Sequence, residues 1–325
     1  MCEMTRSCSA PIDPAAIHSV PVALGQKDVS QTLTRQNSLA GRGVWTLLFV
    51  SVLTGVGLAE GLGLQSAHAA DLQYPLAVTT TADGPIFLGD RNLHGVWKLQ
   101  DNKLSLYFEG SKKFRTPLNA VRCLTIDAQG RLLAGDSATR QVYRFDDKGQ
   151  PQPLAGKGVG IGIPMAIAVH RSGEIYVADL EIHRIMKLPA DGGEPAEVAE
   201  IAAPRGLTID KQDRIWVLSH GADHVVRIET DGKVTPVVKG RPFNFAHNIV
   251  VDEKDNAYVV DGYEKCVWKF DGKQVVKLTK TDQFKNPVGL CWKGDKLLVC
   301  DPQLKKLFSV TTEGQVEEIP LPKPE

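Results

Sequence analysis

Short apolar runs alternate with polar, glycine-containing turns from residue 72 to residue 320. An apolar run such as Leu207–Ile209 is followed by a turn, and a second run is rich in β-branched and aromatic residues, as in Ile175–Val177. A third run, such as Val225–Ile228, precedes an x-Asp-Gly-x turn that is typical of a β-hairpin. The pattern predicts units of four short antiparallel strands.

Six copies of this unit follow one another along the chain. The residue that closes the second strand marks their register, and successive positions are 46, 43, 40, 42 and 40 residues apart. Four-stranded units of this length, repeated around an axis, form a β-propeller. We therefore predict an all-β fold, a six-bladed β-propeller of four-stranded antiparallel blades. The register residues are Asp90, Asp136, Asp179, Ser219, Asp261 and Asp301.

Residues 1–69 do not share this pattern. Residues 1–43 are polar, and a run of 16 uncharged residues extends from Val44 to Ala59. A membrane-spanning helix needs about 20 apolar residues, so the run is more typical of a signal peptide. Ala67 and Ala69 provide the small residues of an A-x-A cleavage site.

We therefore predict a signal peptide with a long leader at residues 1–69 and the propeller at residues 70–325. A leader that is retained as a single-span anchor is the alternative. In both cases the propeller is exported, into the periplasm or as a secreted protein, and it contacts a membrane only if the anchor is retained.

Charge and cysteine content narrow the classes of partner. The chain has 38 basic and 38 acidic residues, and without a basic excess we expect no nucleic-acid partner. Four cysteines of the propeller lie in apolar runs and match no zinc or haem spacing. Buried free thiols are the favoured interpretation, and a disulfide in an oxidising compartment is the alternative. They are Cys123, Cys266, Cys291 and Cys300.

Three motifs resemble those of NHL repeats. They are P-x-G-L-x-x-D at Pro204–Asp210, I-Y-V-A-D at Ile175–Asp179 and R-I-x-K at Arg184–Lys187. The resemblance extends over residues 72–320 and implies an NHL-repeat six-bladed β-propeller. It also implies membership of the broad superfamily of senescence-marker-protein and gluconolactonase-like propellers. This fold serves lyases, lactonases and binding modules, so the resemblance implies no single activity.

The connectivity predicts where a ligand could bind. In an antiparallel blade, the loop between strands two and three and the link into the next blade lie on one face, called here the top face. The residue before each first strand should then line the mouth of the central channel. The six positions are Leu76, Arg122, Met165, Arg205, His247 and Val288.

The predicted ligand-binding residues at this mouth are Arg122, Met165, Arg205 and His247. Arginine offers a planar fork of donors to carboxylate or phosphate, so two arginines and a histidine suit an anionic ligand. A channel that holds only water is the alternative. Ser219 and His220 are secondary candidates because blade four lacks the repeated Asp there.

The repeated aspartates themselves are expected to be structural. An Asp at the end of a strand commonly accepts hydrogen bonds from backbone N–H groups of its own turn. A residue that recurs in nearly every blade also serves each blade more often than it serves one ligand.

The chain has no G-x-S-x-G elbow and no H-E-x-x-H motif. The gluconolactonase resemblance implies a divalent cation such as Ca²⁺ held by Glu, Asn and Asp. Where that family has Asn after Pro, this chain has Arg205 and Val288. Asn248 lies one position late, with Asp261 as its partner under this alternative.

Two functional hypotheses follow from these observations. The main hypothesis is an exported binding or scaffold module that holds a small anionic ligand or a protein partner and needs no metal or other cofactor. The alternative is a divalent-metal-dependent, gluconolactonase-like hydrolase, in which the cation activates water.

Overall fold

The structure, a computed structural model, describes residues 71–113, 115–156, 160–280 and 282–324. All regular secondary structure in these ranges is β, arranged as six separate four-stranded antiparallel sheets. The sheets follow one another along the chain, which confirms the predicted six-bladed β-propeller. The predicted leader, with its apolar run and cleavage site, lies outside the described residues. In the described part of the chain, no helix is long and apolar enough to cross a membrane.

The first three blades begin with a short inner strand and continue outward. Blade one contains β1 (Pro75–Thr79), β2 (Ile86–Asp90), β3 (Gly95–Gln100) and β4 (Lys103–Glu109). Blade two contains β5 (Val121–Ile126), β6 (Leu132–Asp136), β7 (Gln141–Phe145) and β8 (Pro151–Pro153). Blade three contains β9 (Pro164–Val169), β10 (Ile175–Asp179), β11 (Arg184–Leu188) and β12 (Ala196–Glu200).

The last three blades repeat the same order. Blade four contains β13 (Pro204–Ile209), β14 (Ile215–Ser219), β15 (Val225–Ile228) and β16 (Val234–Val238). Blade five contains β17 (Ala246–Val251), β18 (Ala257–Asp261), β19 (Cys266–Phe270) and β20 (Val275–Lys277). Blade six contains β21 (Gly289–Lys293), β22 (Lys296–Asp301), β23 (Lys306–Val310) and β24 (Val316–Ile319).

The ring closes by packing and not by a strand shared between the two ends of the propeller. The first strand of each blade contacts the first strands of its neighbours, and β21 of blade six contacts β1 of blade one. Both end blades contain four strands that are consecutive in sequence. Blade six therefore ends at Ile319 without a strand from blade one.

Apolar side chains fill every interface between neighbouring blades. At the closing interface, Leu88 and Trp97 of blade one pack in one cluster with Leu298 and Leu307 of blade six. Five similar clusters join the other pairs of neighbouring blades in the described chain. Burying one large apolar side chain contributes about 1.5–3 kcal/mol, so stability is distributed around the ring.

The repeated aspartates have the structural role expected of them. In blade six, Oδ2 of Asp301 accepts hydrogen bonds from the backbone N–H groups of Lys285 and Asn286, each at 2.7 Å. Its Oδ1 accepts from the N–H groups of Gln303 and Leu304, at 3.0 and 3.1 Å. All five aspartates are fully buried, and each binds the segment before its first strand as well as the loop after its second strand.

The four described cysteines are free thiols. Burial raises the pKa of Cys123, Cys266 and Cys300 to about 12, so these thiols stay protonated at neutral pH. The structure therefore agrees with free thiols, three of them buried and Cys291 partly buried, and contains no disulfide among the described residues.

Replacing Asp301 by Asn should lower the free energy of unfolding by about 2–4 kcal/mol, because an amide NH₂ would face backbone N–H donors that now share a buried carboxylate. Denaturant unfolding of the purified protein measures this difference. The matched control is Asp147→Asn at an exposed position, which should change stability by less than about 0.5 kcal/mol. Equal stability of the two variants would contradict the structural role.

Candidate functional site

A β-bulge occurs at the second residue of the first strand in each of blades one to five. In blade five, Ala246 pairs with Asp261 and Asn248 pairs with Val260, so His247 has no partner on β18. A bulge re-aims the side chain of its extra residue. The extra residues are Leu76, Arg122, Met165, Arg205 and His247, which are five of the six predicted ring positions.

A cavity of about 310 Å³ lies inside the ring of first strands, and all six of these strands line it. Each first strand is terminal in its sheet, so its unpaired edge of N–H and C=O groups borders the channel. The channel therefore has a polar wall. Five predicted ring residues line the cavity: Leu76, Arg122, Met165, His247 and Val288.

Arg205 occupies its bulge but does not line the cavity. The carbon of its guanidinium lies 5.0 Å from the centroid of the Phe245 ring, in blade five. A guanidinium at this distance is attracted to the face of an aromatic ring. Its Nε is buried and has no hydrogen-bond partner among the described residues. Burial lowers the pKa of Arg205, and we place this residue on the blade-five side of the mouth.

Arg91 and Arg205 lie close enough to Arg122 on the top face for their charges to act on it. Burial lowers the pKa of Arg122, and the positive charges of Arg91 and Arg205 lower it further. The Nε of Arg122 donates to Oγ of Ser137 at 2.9 Å. None of the ion pairs between described residues includes any of these three arginines. The charges of Arg91 and Arg205 therefore repel that of Arg122, and the nearby carboxylate of Asp136 offsets this repulsion in part without forming an ion pair.

Phe245 is the centre of a compact cluster between blades four and five, which we call the Phe245 cluster (Arg205, His220, Phe245, His247 and Tyr263). His247 and His220 meet the Phe245 ring edge-to-face, at centroid distances of 4.9 and 5.2 Å. Tyr263 stacks on Phe245 at 4.8 Å with an interplanar angle of 21°. This arrangement extends the site away from the axis towards blade five.

The two histidines of this cluster are uncharged at neutral pH. Burial lowers the pKa of His247 to about 4, and the neighbouring Arg205 contributes to the shift. Burial also lowers the pKa of His220, although its hydrogen bond to the Ala246 carbonyl opposes this. The sequence suggested that His247 could add positive charge to the mouth. The structure assigns that charge to arginines, and the histidines provide neutral hydrogen-bonding groups.

Gly262 allows the loop that carries Tyr263 to close on His247. A Cβ atom at Gly262 would lie 2.2 Å from Oδ1 of Asn286 and 2.9 Å from Nε2 of His247. Both distances are shorter than real Cβ contacts. A larger residue would require these side chains or the loop itself to shift, so Gly262 permits the close approach of the loop to His247.

Ser219 replaces the repeated Asp for a local structural reason. Its Oγ donates to the Ala202 carbonyl at 2.6 Å and accepts from the N–H of Gly221 at 2.8 Å. Ala203 has a φ of 45°, and the chain before β13 presents a carbonyl where the other blades present an N–H group. A carboxylate would meet that carbonyl oxygen, whereas a hydroxyl can donate to it.

The side-chain oxygens of Asn248 and Asp261, the two candidate cation ligands, already accept hydrogen bonds. Asn248 donates from Nδ2 to the Leu290 carbonyl at 3.3 Å, and its Oδ1 accepts from the N–H of Ile249. The carboxylate of Asp261 accepts four backbone hydrogen bonds in its own blade. No group of three or more His, Cys, Asp or Glu side chains in the described chain could hold a metal ion. The mouth residues, with guanidiniums as their charged groups, do not fit a divalent cation.

Three residues of this site were not predicted from the sequence: Arg91, Phe245 and Tyr263. Alignment of the six repeats could have identified Tyr263, because only blade five has an aromatic residue two positions after the register residue. The same offset in the other blades holds Asn92, Ala138, Glu181, Gly221 and Gln303.

No family model matches the chain, and no curated protein matches it. The NHL resemblance therefore stays a prediction. Solved structures do show the same fold. Virginiamycin B lyase from Staphylococcus aureus is 18% identical, with a TM-score of 0.59 over 76% of this chain and 84% of that one. A gluconolactonase from Xanthomonas campestris is 16% identical, with a TM-score of 0.61 over 77% and 87%.

A third structure is a catalytically inactive variant of the Staphylococcus aureus lyase with quinupristin. It is 14% identical, with a TM-score of 0.56 over 70% of this chain and 77% of that one. At these identities the likeness shows a shared six-bladed propeller fold and does not assign an activity.

His224 lies beside this site, and the effect of its burial on its pKa can be tested. Its ring is 2% exposed and stacks on Phe243 at 5.6 Å, and the N–H of Phe243 donates to its Nδ1. Burial lowers the pKa of His224 to about 4. The unfolded chain therefore binds a proton at this residue more readily than the folded protein does.

Stability should consequently fall as the pH decreases from about 6.5 to about 4, and His224→Phe should remove roughly 1–3 kcal/mol of that loss. Denaturant unfolding at several pH values measures the slope. His183→Asn, at an exposed residue with a left-handed φ of 56°, controls for the loss of one histidine. A slope in His224→Phe as steep as in the unaltered protein would show that His224 is not held neutral by burial.

Proposed function

We propose that the top face binds a small anionic ligand at the channel mouth, with Arg122 and Arg205 as its main contacts. The observation that carries this proposal is the position of Arg122 near the positive charges of Arg91 and Arg205, with no ion pair to any of the three among the described residues. An anion between them would replace their mutual repulsion with attraction. Guanidinium–carboxylate hydrogen bonds are also roughly twice as strong as neutral ones.

Both main arginines are already held in place. Nε of Arg122 is bound to Ser137, which leaves the terminal nitrogens of the guanidinium for a ligand. The guanidinium of Arg205 rests on Phe245. Side chains ordered before binding lose less conformational entropy when the ligand arrives. The arrangement therefore favours a specific, small ligand.

Two structural neighbours support a small molecule over a scaffold role. One is a gluconolactonase, and another is a lyase variant solved with quinupristin. The channel cavity of about 310 Å³, which Arg122 lines and Arg205 does not, lies at the lower end of the range of small-molecule pockets, roughly 300–1,000 Å³. An acidic segment of a partner protein is the competing occupant of the same arginines.

Succinate should raise the melting temperature of the full-length protein by a few degrees at concentrations well above its Kd, because a ligand that binds only the folded state stabilises it. Arg122→Gln and Arg205→Gln should each weaken binding by about tenfold or more, since each removes a charge-assisted hydrogen bond. Calorimetric titration provides the affinities. Arg171→Gln, at an exposed residue in the β9–β10 turn on the opposite face, should bind succinate like the unaltered protein.

Three outcomes would count against the proposal. The first is no response to succinate, gluconate or phosphate. The second is equal affinity in the arginine variants, and the third is binding of an acidic peptide alone. A stoichiometric divalent ion in the purified protein that is lost in Asn248→Ala would instead favour the gluconolactonase-like alternative. Metal analysis of the same samples measures this directly.

A further inference from the structure

Tyr263 is an aromatic side chain that the fold does not require. The residue is 64% exposed, more than any other large apolar or aromatic residue in the described part of the chain. Equivalent positions in the other blades hold small or polar residues, such as Ala138 and Gln303. Exposure of a large aromatic surface has an energetic cost in water. The other blades avoid this cost at the equivalent position. The aromatic residue in blade five is therefore a candidate for a ligand contact.

Contacts with neighbouring residues also orient the ring of Tyr263. One contact is its stacking on Phe245. Its backbone N–H donates to Oδ1 of Asp261 at 3.1 Å, and the adjacent Gly262 lets the loop approach His247 closely. Tyr263 therefore presents a fixed aromatic surface to solvent, and ordering it on binding costs little entropy.

The aromatic surface and the anion-binding group share one neighbour. The guanidinium of Arg205 lies 5.0 Å from the Phe245 centroid, and the Tyr263 ring lies 4.8 Å from it. The guanidinium and the Tyr263 ring are thus at most about 10 Å apart, so a small molecule that places a carboxylate on Arg205 and extends past the edge of Phe245 can also reach Tyr263. The neutral His220 and His247 rings border the same Phe245 side chain, so this sector combines a cation with a largely aromatic surface.

We propose that the ligand of this sector is an aromatic carboxylate, with its acid group on Arg205 and its planar ring stacked on Tyr263. This inference rests on the proposed anion site and adds the chemical class of the ligand. Offset-stacked aromatic pairs contribute about 0.5–1.5 kcal/mol beyond the burial of their area. A planar ring should therefore bind more tightly than a saturated ring of the same size and charge.

The test compares 3-phenylpropionate with 3-cyclohexylpropionate by calorimetric titration of the full-length protein. The two acids have the same chain length and the same charge. We expect 3-phenylpropionate to bind about threefold to tenfold more tightly. Tyr263→Leu should remove that difference and leave the affinity for the saturated acid nearly unchanged, whereas Tyr263→Phe should preserve the difference. The exposure of Tyr263 makes both variants compatible with folding.

Equal affinity for the two acids in the unaltered protein would overturn the inference, as would a preference that survives Tyr263→Leu. Tighter binding of glucuronate than of 3-phenylpropionate would overturn it in favour of a sugar acid. If succinate binds while both ring acids fail to bind, the aromatic class is wrong and the anion site stands. If no acid binds, both proposals are wrong.

Discussion

In five of the six blades, one buried carboxylate at the end of the second strand holds two segments of the top face together. It accepts backbone hydrogen bonds from the segment before the first strand and from the loop after the second. The two segments that form the top face are thereby clamped to a single buried charge. Losing such a charge-assisted network is expensive in a buried setting. Because the clamp uses backbone donors, the neighbouring side chains stay free to vary, and the bulged ring residues do vary from blade to blade.

The side chains of the top face vary to different extents in different blades. Blade four replaces the clamp by Ser219, and the chain before it takes a left-handed turn at Ala203. The aromatic and histidine side chains of the top face concentrate at the junction of blades four and five, around Phe245. A six-fold repeat would place a ligand on the axis, whereas this concentration displaces the candidate site to one side of the mouth.

The sequence predicted the fold well because both of its signals are periodic. Strand patterns and the register residue recur about every 42 residues, so six copies support the same inference. It also identified five of the six residues expected to line the channel, since alternating strand direction determines which link lies on the top face. It did not predict that Arg205 would turn onto Phe245, because that depends on a contact between two blades. The protonation state of His247 depends on burial within the assembled ring, which composition does not reveal.

Neutral histidines beside arginines have a consequence for the kind of recognition that the mouth can perform. With the pKa of His247 lowered to about 4, this side chain adds no positive charge between pH 6 and pH 8. Arginine remains charged throughout this range, so titration of His247 should not alter anion binding at Arg122 and Arg205 there. The histidines can then contribute selectivity through the direction of their hydrogen bonds and the shape of their rings. Charge attracts the ligand, and the uncharged surface around Phe245 selects among anions.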